Sequence, residues 1–522
     1  MDISGTALSK SFVNIYGLYV TISVLVTLVL YLCANEVVRF RSRITGFRGP
    51  KGLPVVGNLL EVLDYTAQKY QQWAKTFGSV YQIQLANTTI IVVNSASAAK
   101  KLFISNSQTL SSRPLTYTFG KIASSSAGLT IGTSPYDDSL KRKKKGAASA
   151  LNRPSIQTYI PYLDRESRSF LEDLLHYGKG GTIAIDPLPL IQRLSLSLVM
   201  TINWGVRMPS HEDELFKEIT EVEEELNRFR STVGNLQDHI PVLRLNPFNR
   251  TSTKARDMRR RRDRYLNKLN ADLAEKVAKG TAKPCIQANV LKDTEAKLNE
   301  VELRSISLSI LGGGFETVSN TVQWTIGYLA IHPEIQDKVF EAIREFQGSD
   351  DQLCDAADDL KCTYVAALVK EALRYFTVIP LALPRESIRD VEYEGSLIPT
   401  GTTVYLNAWA CNYDTELWSD PDAFRPERWI ENPDAPLFTF GLGYRMCAAH
   451  LLAYRELYLV FMRMLSTFRL EACGDVRCNP RSDMKNPRDL VMSPKPYRVF
   501  CIPRDRERLK QALVAAKAGD EE

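Results

Sequence analysis

Residues 438–447 read Phe438-Thr439-Phe440-Gly441-Leu442-Gly443-Tyr444-Arg445-Met446-Cys447, and they decide the fold of this chain. Glycines let a loop adopt backbone angles that other residues avoid, and they let a flat ligand approach closely. A helix that begins just after Cys447 would place free N–H groups near the sulfur and favour a thiolate, and Arg445 adds a nearby cation. The pattern predicts that Cys447 is a soft ligand for iron. A glycine loop with an ordinary buried cysteine is the alternative.

This loop resembles the cysteine-ligand loop of the cytochrome P-450 family, whose pattern is F-x-x-G-x-R-x-C-x-G. Phe440, Gly443, Arg445 and Cys447 match it, whereas Ala449 replaces the last glycine. The resemblance implies a heme b cofactor whose iron takes an axial thiolate from Cys447, with Phe440, Gly443 and Arg445 beside the haem. We expect Ala449 to tighten the approach of the following helix to the haem without preventing binding.

A second motif lies in a long apolar helical segment, residues 303–330, which three consecutive glycines interrupt at 312–314. Each glycine costs about 1 kcal/mol of helix stability relative to alanine, so three together indicate a bare or distorted surface. Glu316 and Thr317 follow in an apolar stretch, where a carboxylate needs a partner or a task. A helix crossing packed through glycine is the alternative to a functional site.

This second segment resembles the family pattern (A/G)-G-x-(D/E)-T-(T/S), except that Val318 replaces the last hydroxyl residue. The resemblance implies a helix across the distal face of the haem, with glycines that make room for dioxygen. It implies two catalytic residues: Thr317 as a hydrogen-bond partner of the bound oxygen, and Glu316 as its proton relay.

Glu371 and Arg374 lie three residues apart in a predicted helix, 364–375, and therefore share one helix face. An exposed pair of this kind contributes only about 0.2–1 kcal/mol, which is the ordinary alternative. The segment 426–429, Pro-Glu-Arg-Trp, supplies Arg428. The resemblance implies that Glu371, Arg374 and Arg428 form a buried ion network behind the haem, which fixes the cysteine loop and takes no part in the chemistry.

Residues 141–145, Lys-Arg-Lys-Lys-Lys, form a dense basic run at a helical position. The resemblance implies that cations here reach the haem propionates, although Leu140 stands where the family has tryptophan and lysines replace its arginine. Lys144 and Lys141 are candidate partners as point charges, and Arg385 and Arg445 are the better candidates. The rest of the run predicts either a docking face for an acidic electron-donor protein or a solvated face.

Other charges are predicted to lie at the surface. A second basic run, residues 256–264, predicts a solvated helix face or a membrane contact. Arg113 and Lys121 lie in segment 111–123, which the resemblance places near the substrate, but we expect ordinary surface positions for both. No nucleic-acid-binding module accompanies these charges, so a nucleic-acid partner is not expected. The other implied substrate-lining segments are the helix around Gly312, 377–382 and 490–492.

The N-terminal part of the chain predicts a membrane anchor. Residues 12–34 include no charged side chain, and such a stretch is long enough to cross a bilayer as a helix. Basic residues follow this stretch while Lys10 alone precedes it, which places the body in the cytosol. A cleaved signal peptide is the alternative. The predicted organisation is a lumenal N-terminus (1–11), a transmembrane anchor (12–34), a basic Pro/Gly hinge (35–54), a haem-thiolate monooxygenase domain (55–508) and a C-terminal tail (509–522).

Composition limits the class of protein. The chain has 522 residues, 44% of them hydrophobic, and a net charge of +6, which suits a large globular core. Its 9 cysteines are odd in number and lack a C-x-x-C pair, so neither a disulfide framework nor a zinc site is expected. This cysteine pattern is typical of a protein in a reducing compartment. Its 5 histidines show no metal-ligand spacing, which argues against a zinc or non-haem iron enzyme.

The predicted fold class is mainly α with small peripheral β-sheets, namely a cytochrome P-450 fold with an N-terminal transmembrane helix. Strands are predicted at 80–85, 88–93, 391–393, 403–406, 468–471 and 497–501. The resemblance implies a fungal microsomal haem-thiolate monooxygenase in the endoplasmic reticulum membrane, single-pass, with its catalytic domain in the cytosol. No flavin or phosphate-cradling motif is evident, so electrons are expected from a separate NADPH-cytochrome P-450 reductase, with cytochrome b5 as an optional donor.

Segments 130–136, 146–154, 444–448 and 455–458 resemble the fungal phenylacetate hydroxylase branch of the family. The branch implies oxidation of a small aromatic or secondary-metabolite substrate, in aromatic-acid catabolism or secondary metabolite biosynthesis. One alternative is a haem enzyme that couples, rearranges or dehydrates its substrate without inserting oxygen. Another is a non-catalytic haem-binding membrane protein.

Overall fold

The computed structural model describes residues 4–246, 248–292, 298–348 and 353–518. Residues 1–3 of the predicted lumenal segment and 519–522 of the predicted tail lie outside this range. The described chain is mainly helical with small sheets, which confirms the predicted fold class. The helices are α1 (Ser4–Arg41), α2 (Thr66–Phe77), α3 (Ala96–Phe103), α4 (Asp138–Leu151), α5 (Arg153–Thr158), α6 (Ile160–Tyr177), α7 (Leu188–Trp204), α8 (Glu214–Phe229), α9 (Leu236–His239), α10 (Arg250–Ala278), α11 (Ile286–Lys292), α12 (Glu300–Gly314), α13 (Glu316–Ala330), α14 (Pro333–Gln347), α15 (Thr363–Phe376), α16 (Ala408–Asn412), α17 (Arg428–Glu431), α18 (His450–Thr467) and α19 (Arg506–Ala518).

The strands form one four-stranded sheet and two hairpin-like pairs at the edge of the helical body. They are β1 (Val80–Leu85), β2 (Thr88–Val93), β3 (Arg385–Glu386), β4 (Val391–Tyr393), β5 (Ser396–Ile398), β6 (Thr403–Leu406), β7 (Phe468–Cys473) and β8 (Arg498–Pro503). The larger sheet has the order β1-β2-β6-β3, in which β2 and β6 are parallel and the other pairs antiparallel. The sheet brings β3 close to the segment that precedes the cysteine loop.

The core lies among α13, α15 and α18, whose apolar faces are fully buried. Trp324 of α13 stacks on Phe376 of α15 with ring centroids 5.5 Å apart. Val460 and Phe461 place the middle of α18 in the same cluster. Since α18 begins at His450, three residues after Cys447, this packing fixes the end of the cysteine loop.

Helix α1 projects from the body, and its segment Tyr16–Arg41 is long and apolar enough to cross a membrane. The helix continues to Arg41, so residues 35–41 of the predicted hinge are helical. Its last turns are attached to the body. Arg39 Nη1 donates to Gln84 Oε1 at 3.0 Å, and Glu36 Oε1 accepts the N–H of Val55 at 2.6 Å.

The predicted glycine-broken helix is two helices, α12 and α13, which meet at Phe315. Phe315 is buried, and its ψ of −67° lies at the limit of the helical range, although its N–H still donates to Leu311 O at 3.1 Å. The break therefore lies one residue beyond the glycines and directly before Glu316.

Candidate active site

The cysteine loop is fastened to the end of α3 at a position that only glycine can occupy. Gly443 has a φ of +62°, and a Cβ on it would collide with the carbonyl oxygen of Phe103. The next residue, Tyr444, donates its N–H to Ser107 Oγ at 2.8 Å. At the other end of the loop the Cys447 N–H donates to Phe440 O at 2.9 Å. Hydrogen bonds therefore hold the loop at Tyr444 and between Phe440 and Cys447.

Cys447 has accessible surface, yet it lies deep in the fold, where burial raises the pKa of its thiol. The N–H of Ala449 lowers this pKa by a smaller amount. Arg445 does not contribute to it, because its guanidinium donates instead to the carbonyls of residues 131, 132 and 134. Of the two features expected to favour a thiolate, the start of the helix acts in the expected direction through the Ala449 N–H, whereas the guanidinium of Arg445 has other partners. Coordination to a metal deprotonates such a thiol outright.

Ala449, the departure from the family's glycine, has a φ of −98°, which any residue can adopt. Its methyl group therefore causes no backbone strain at the start of α18. Phe440 packs on the other side of this turn, with its ring 5.2 Å from Tyr454 of α18 and 6.1 Å from His450.

Four cations from four segments converge beside the cysteine loop: Arg113, Lys144 of α4, Arg385 of β3, and Arg445. They donate to main-chain carbonyls; for example, Arg113 Nη1 reaches Pro384 O at 2.6 Å, Lys144 Nζ reaches Tyr444 O at 2.9 Å, and Arg385 Nη2 reaches Leu442 O at 2.6 Å. None of the four forms a salt bridge with a carboxylate of the described residues. The expected surface position of Arg113 is wrong, since its side chain is 6% exposed.

The charge of this cluster is poorly compensated. Burial lowers the pKa of Arg385 to about 9, with Arg445 contributing, and burial lowers that of Arg445 to about 10. Arg445 Nη1 is buried and has no hydrogen-bond partner among the described residues. A dianionic group would balance the positive charge and would give Arg445 Nη1 an acceptor. The two propionates of haem have that charge. The single thiol and the cation cluster therefore fit haem. Within the described chain no three His, Cys, Asp or Glu residues form another metal site.

The three glycines at 312–314 face different surroundings. A Cβ on Gly314 would lie 2.8 Å from Val199 Cγ2, so Gly314 permits close packing on α7. A Cβ on Gly313 would meet no described atom within 4 Å, and this residue is exposed between buried Gly312 and half-buried Gly314. A Cβ on Gly312 would lie 3.1 Å from Glu223 Oε2 and 3.4 Å from Arg230 Nη1. Gly313 therefore borders open space between two packed glycines.

Thr317 and Glu316 follow the break, at the start of α13. Thr317 Oγ1 donates to Gly313 O at 2.8 Å, so the hydroxyl lies beside the exposed glycine. Burial raises the pKa of Glu316 well above 4.5; Glu223 raises it further, while Arg230 opposes the shift. This shift favours the protonated form of the Glu316 carboxyl. Val318 is turned away into the core and is 4% exposed.

Glu371, Arg374 and Arg428 lie together, all with side chains no more than 2% exposed. Arg374 donates to both Glu371 oxygens at 2.8 Å, and Arg428 Nε donates to Oε1 at 3.1 Å. Trp429 Nε1 and the N–H of Arg425 complete the five donors, at 2.9 and 2.7 Å. The alternative of an ordinary exposed pair does not apply.

Asn412, which the sequence analysis did not select, joins this ion network to the cysteine loop. Its carbonyl oxygen accepts from Arg374 Nη1 at 3.1 Å, and its Oδ1 accepts the N–H of Phe438 at 3.0 Å. Its Nδ2 donates to the hydroxyls of Thr377 and Thr439 at 2.9 and 3.0 Å. The only sequence signal was a polar residue at the end of the apolar run 408–412.

The basic run of α4 divides among several environments. Lys141 is exposed and pairs with Asp138 at 2.9 Å, so it does not join the cation cluster. Arg142 pairs with Glu302 at 2.7 Å, and Lys143 is buried, with its Nζ donating to Ser134 Oγ at 2.6 Å. Lys144 alone of the five lies at the site, 3.6 Å from the centroid of the Tyr444 ring.

The second basic run is not simply a solvated face. Arg261 pairs with three glutamates of α8, at 2.8 to 2.9 Å. Arg262 is 1% exposed and pairs with Asp263. The prediction for 256–264 is wrong at these two positions, because α10 packs against α8.

A surface pocket of about 410 Å³, including space open to solvent, leads into the body beside α8. Two of the implied substrate segments contribute to it, through Pro380, Leu381, Leu490 and Met492. Its wall also includes Ser231, the residue after Arg230. The pocket does not include Cys447 or Thr317.

Comparison with known proteins agrees with this geometry. The family model described as Cytochrome P450 matches residues 47–501. The chain is 58% identical over 485 residues to a 3-hydroxyphenylacetate 6-hydroxylase of Emericella nidulans. The matched region covers 93% of this chain and 94% of that protein. It is 40% identical over 474 residues to a phenylacetate 2-hydroxylase of the same organism, covering 89% of this chain and 91% of the relative.

Proposed function

The chain belongs to the cytochrome P450 family and is a monooxygenase, and from this premise we propose that it hydroxylates the ring of a small aromatic acid of the phenylacetate type. The observation that carries the proposal is the 58% identity, over 93% of the chain, to a relative named for 3-hydroxyphenylacetate. The 40% identical relative is also named for an arylacetate.

The family's cofactor is haem with a cysteine axial ligand, and Cys447 is the cysteine that supplies it here. Arg113, Lys144, Arg385 and Arg445 would hold the propionates, since their charge has no carboxylate partner among the described residues. Haem bound through a thiolate supplies the activation of dioxygen. The Glu371–Arg374–Arg428 network holds the loop that presents Cys447.

Proton delivery falls to the start of α13. Thr317 Oγ1 gives its own proton to Gly313 O, so toward the open side it presents lone pairs and accepts a hydrogen bond. Burial raises the pKa of Glu316, which favours the protonated carboxyl that a proton donor needs. Glu316 and Thr317 are adjacent in the chain. Glu316 can therefore resupply a proton to a group that is hydrogen-bonded to Thr317.

Electrons come from NADPH through a separate reductase, with cytochrome b5 as an optional donor. The exposed side chains of Lys141 and Lys145 offer positive charge near the cysteine loop for an acidic partner. The apolar segment of α1 anchors the protein in the endoplasmic reticulum membrane, and the basic residues that follow it keep the body in the cytosol.

The test is turnover in microsomes that contain this chain and a reductase. With NADPH and isotopically labelled dioxygen, 3-hydroxyphenylacetate or phenylacetate should gain one labelled ring hydroxyl. Cys447→Ala should abolish both this product and the thiolate–carbon monoxide absorption band of the reduced protein. Product without label would establish a coupling, rearrangement or dehydration enzyme instead. No reductase-dependent oxidation of any aromatic acid would refute the proposal.

A further inference from the structure

Arg230, the residue directly after α8, is a half-buried cation without a salt-bridge partner among the described residues. It donates no hydrogen bond to another described residue, and its Nε is buried and unpaired. Other buried arginines differ: Arg193 donates to Glu166 at 2.6 Å, and Arg374 donates to Glu371 and three carbonyls. A guanidinium has five N–H donors, and leaving them unmade inside a protein is costly. Such a group is suited to an anion that arrives from outside.

Two neighbours of Arg230 border the space beside it. Its guanidinium lies 5.0 Å from the ring centroid of Phe119, in the π-helical turn Tyr117–Ala123. On another side is Gly312, where even a methyl group would lie 3.4 Å from Arg230 Nη1. These residues come from three elements that all border the start of α13.

Two acids lie near Arg230 without pairing with it. Neither Glu223 nor Glu316 forms an ion pair with it within the described residues. Burial lowers the pKa of Arg230, and the charges of the two acids oppose this shift. The N–H donors of Arg230 therefore lack acceptors, although its charge is partly balanced.

We propose that Arg230 binds the carboxylate of the substrate, with Phe119 against the substrate ring and with the open space beside Gly313 left for that ring. This inference rests on the proposed function and names the residue that selects an acid. Gly312 and Thr317 are five positions apart, or roughly 7.5 Å along a helix axis. A single ring with a short acid chain can bridge such a distance. A guanidinium binds a carboxylate through two parallel hydrogen bonds, which also fixes the orientation of the ring.

The experiment compares an acid with its neutral analogue on the haem-loaded protein. Binding of 3-hydroxyphenylacetate and of 3-hydroxyphenylethanol is titrated through the change that each causes in the haem absorption spectrum. Arg230→Met should weaken binding of the acid about 10- to 100-fold, as expected for a charged hydrogen-bonded pair. It should change binding of the alcohol less than about 3-fold. Arg230→Lys should fall between wild type and Arg230→Met for the acid, because it keeps the charge but loses the fork.

Arg244→Met is the matched control. Arg244 also lies over a ring of the same turn, 4.4 Å from the Tyr117 centroid, but it donates to the carbonyls of Gln237 and Asp238. This variant should not change the ratio of acid to alcohol affinity. Carbon monoxide spectra show whether each variant keeps its haem site, and Arg230→Lys serves if Arg230→Met does not.

Two outcomes would overturn the role of Arg230: an unchanged acid affinity in the variants, or an equal loss for acid and alcohol. If the wild type binds and hydroxylates the acid in that case, only the assignment of Arg230 fails. If the wild type binds the alcohol but not the acid, or oxidises neither, the proposed function fails and the role of Arg230 fails with it.

Discussion

Glu371→Gln tests whether the buried ion network holds the cysteine loop. Glu371 is fully buried and accepts five hydrogen bonds, from Arg374, Arg425, Arg428 and Trp429. Glutamine keeps the shape but replaces one carboxylate oxygen with a donor. Oε2 accepts from two donors and Oε1 from three, so at least two donors lose their acceptor in either amide orientation.

The larger effect is electrostatic, because two buried guanidinium groups then share a neutral partner. Breaking a buried pair in this way destabilises a protein by about 3–5 kcal/mol. Glu431→Gln is the matched control, since it makes the same change in an exposed pair with Arg425, where both side chains are more than 40% exposed. That pair contributes only about 0–1 kcal/mol.

The assay is urea unfolding followed by two signals, the thiolate–carbon monoxide band for the cysteine loop and far-ultraviolet circular dichroism for the helices. Because Asn412 links the network to residues 438 and 439, we expect Glu371→Gln to lose the band at lower urea than the helical signal. The reasoning fails if Glu371→Gln is as stable as Glu431→Gln. It also fails if the variant loses both signals together, since the loop would then not depend on the network.

Three further changes probe the site and its support. Thr317→Ala removes the hydroxyl beside Gly313, so NADPH oxidation should yield hydrogen peroxide in place of product while haem content is unchanged; Thr317→Ser should restore product, and unchanged coupling in the alanine variant would argue against the proton relay. Gly443→Ala should abolish the carbon monoxide band because of the collision with Phe103 O. The control Gly395→Ala, at a φ of +75° with no described atom within 4 Å, should lower the free energy of unfolding by only about 1–2 kcal/mol. A normal band in Gly443→Ala would contradict the collision. Burial raises the pKa of Glu456 from 4.5 to about 8, so its contribution to stability is fully present below about pH 4.5 and is lost as pH rises toward 8. Thermal melting should therefore show wild type losing stability relative to Glu456→Gln across that range and no further above it; a difference that does not vary with pH would refute the shift.

The sequence predicted best where the residues of a motif are close together in the chain. The cysteine loop, the glycine-broken helix and the helix bearing Glu371 and Arg374 each lie within one segment, so their spacing carries the information. Arg113 was misplaced because its partners, the carbonyls of Leu383 and Pro384, lie about 270 residues later. Nothing local distinguishes it from a surface arginine.

The same limit applies to charges. The thiolate argument for Cys447 used neighbours in sequence, but burial by the whole fold decides the direction of its pKa. Arg261 and Arg262 read as solvated cations until α10 packs on α8. Arg230 drew no attention, because an arginine after a helix is ordinary and only the missing partners make it unusual.

The attachment of α1 to the body has a consequence for shortened forms of the protein. Arg39 donates to Gln84 and to the carbonyl of Lys51, while Glu36 accepts the N–H of Val55, so the last turns of the helix belong to the packing of the body. A chain shortened past Glu36 would lose the Glu36 contact as well as most of the apolar segment. A truncation meant to remove only the apolar segment should therefore end before Glu36.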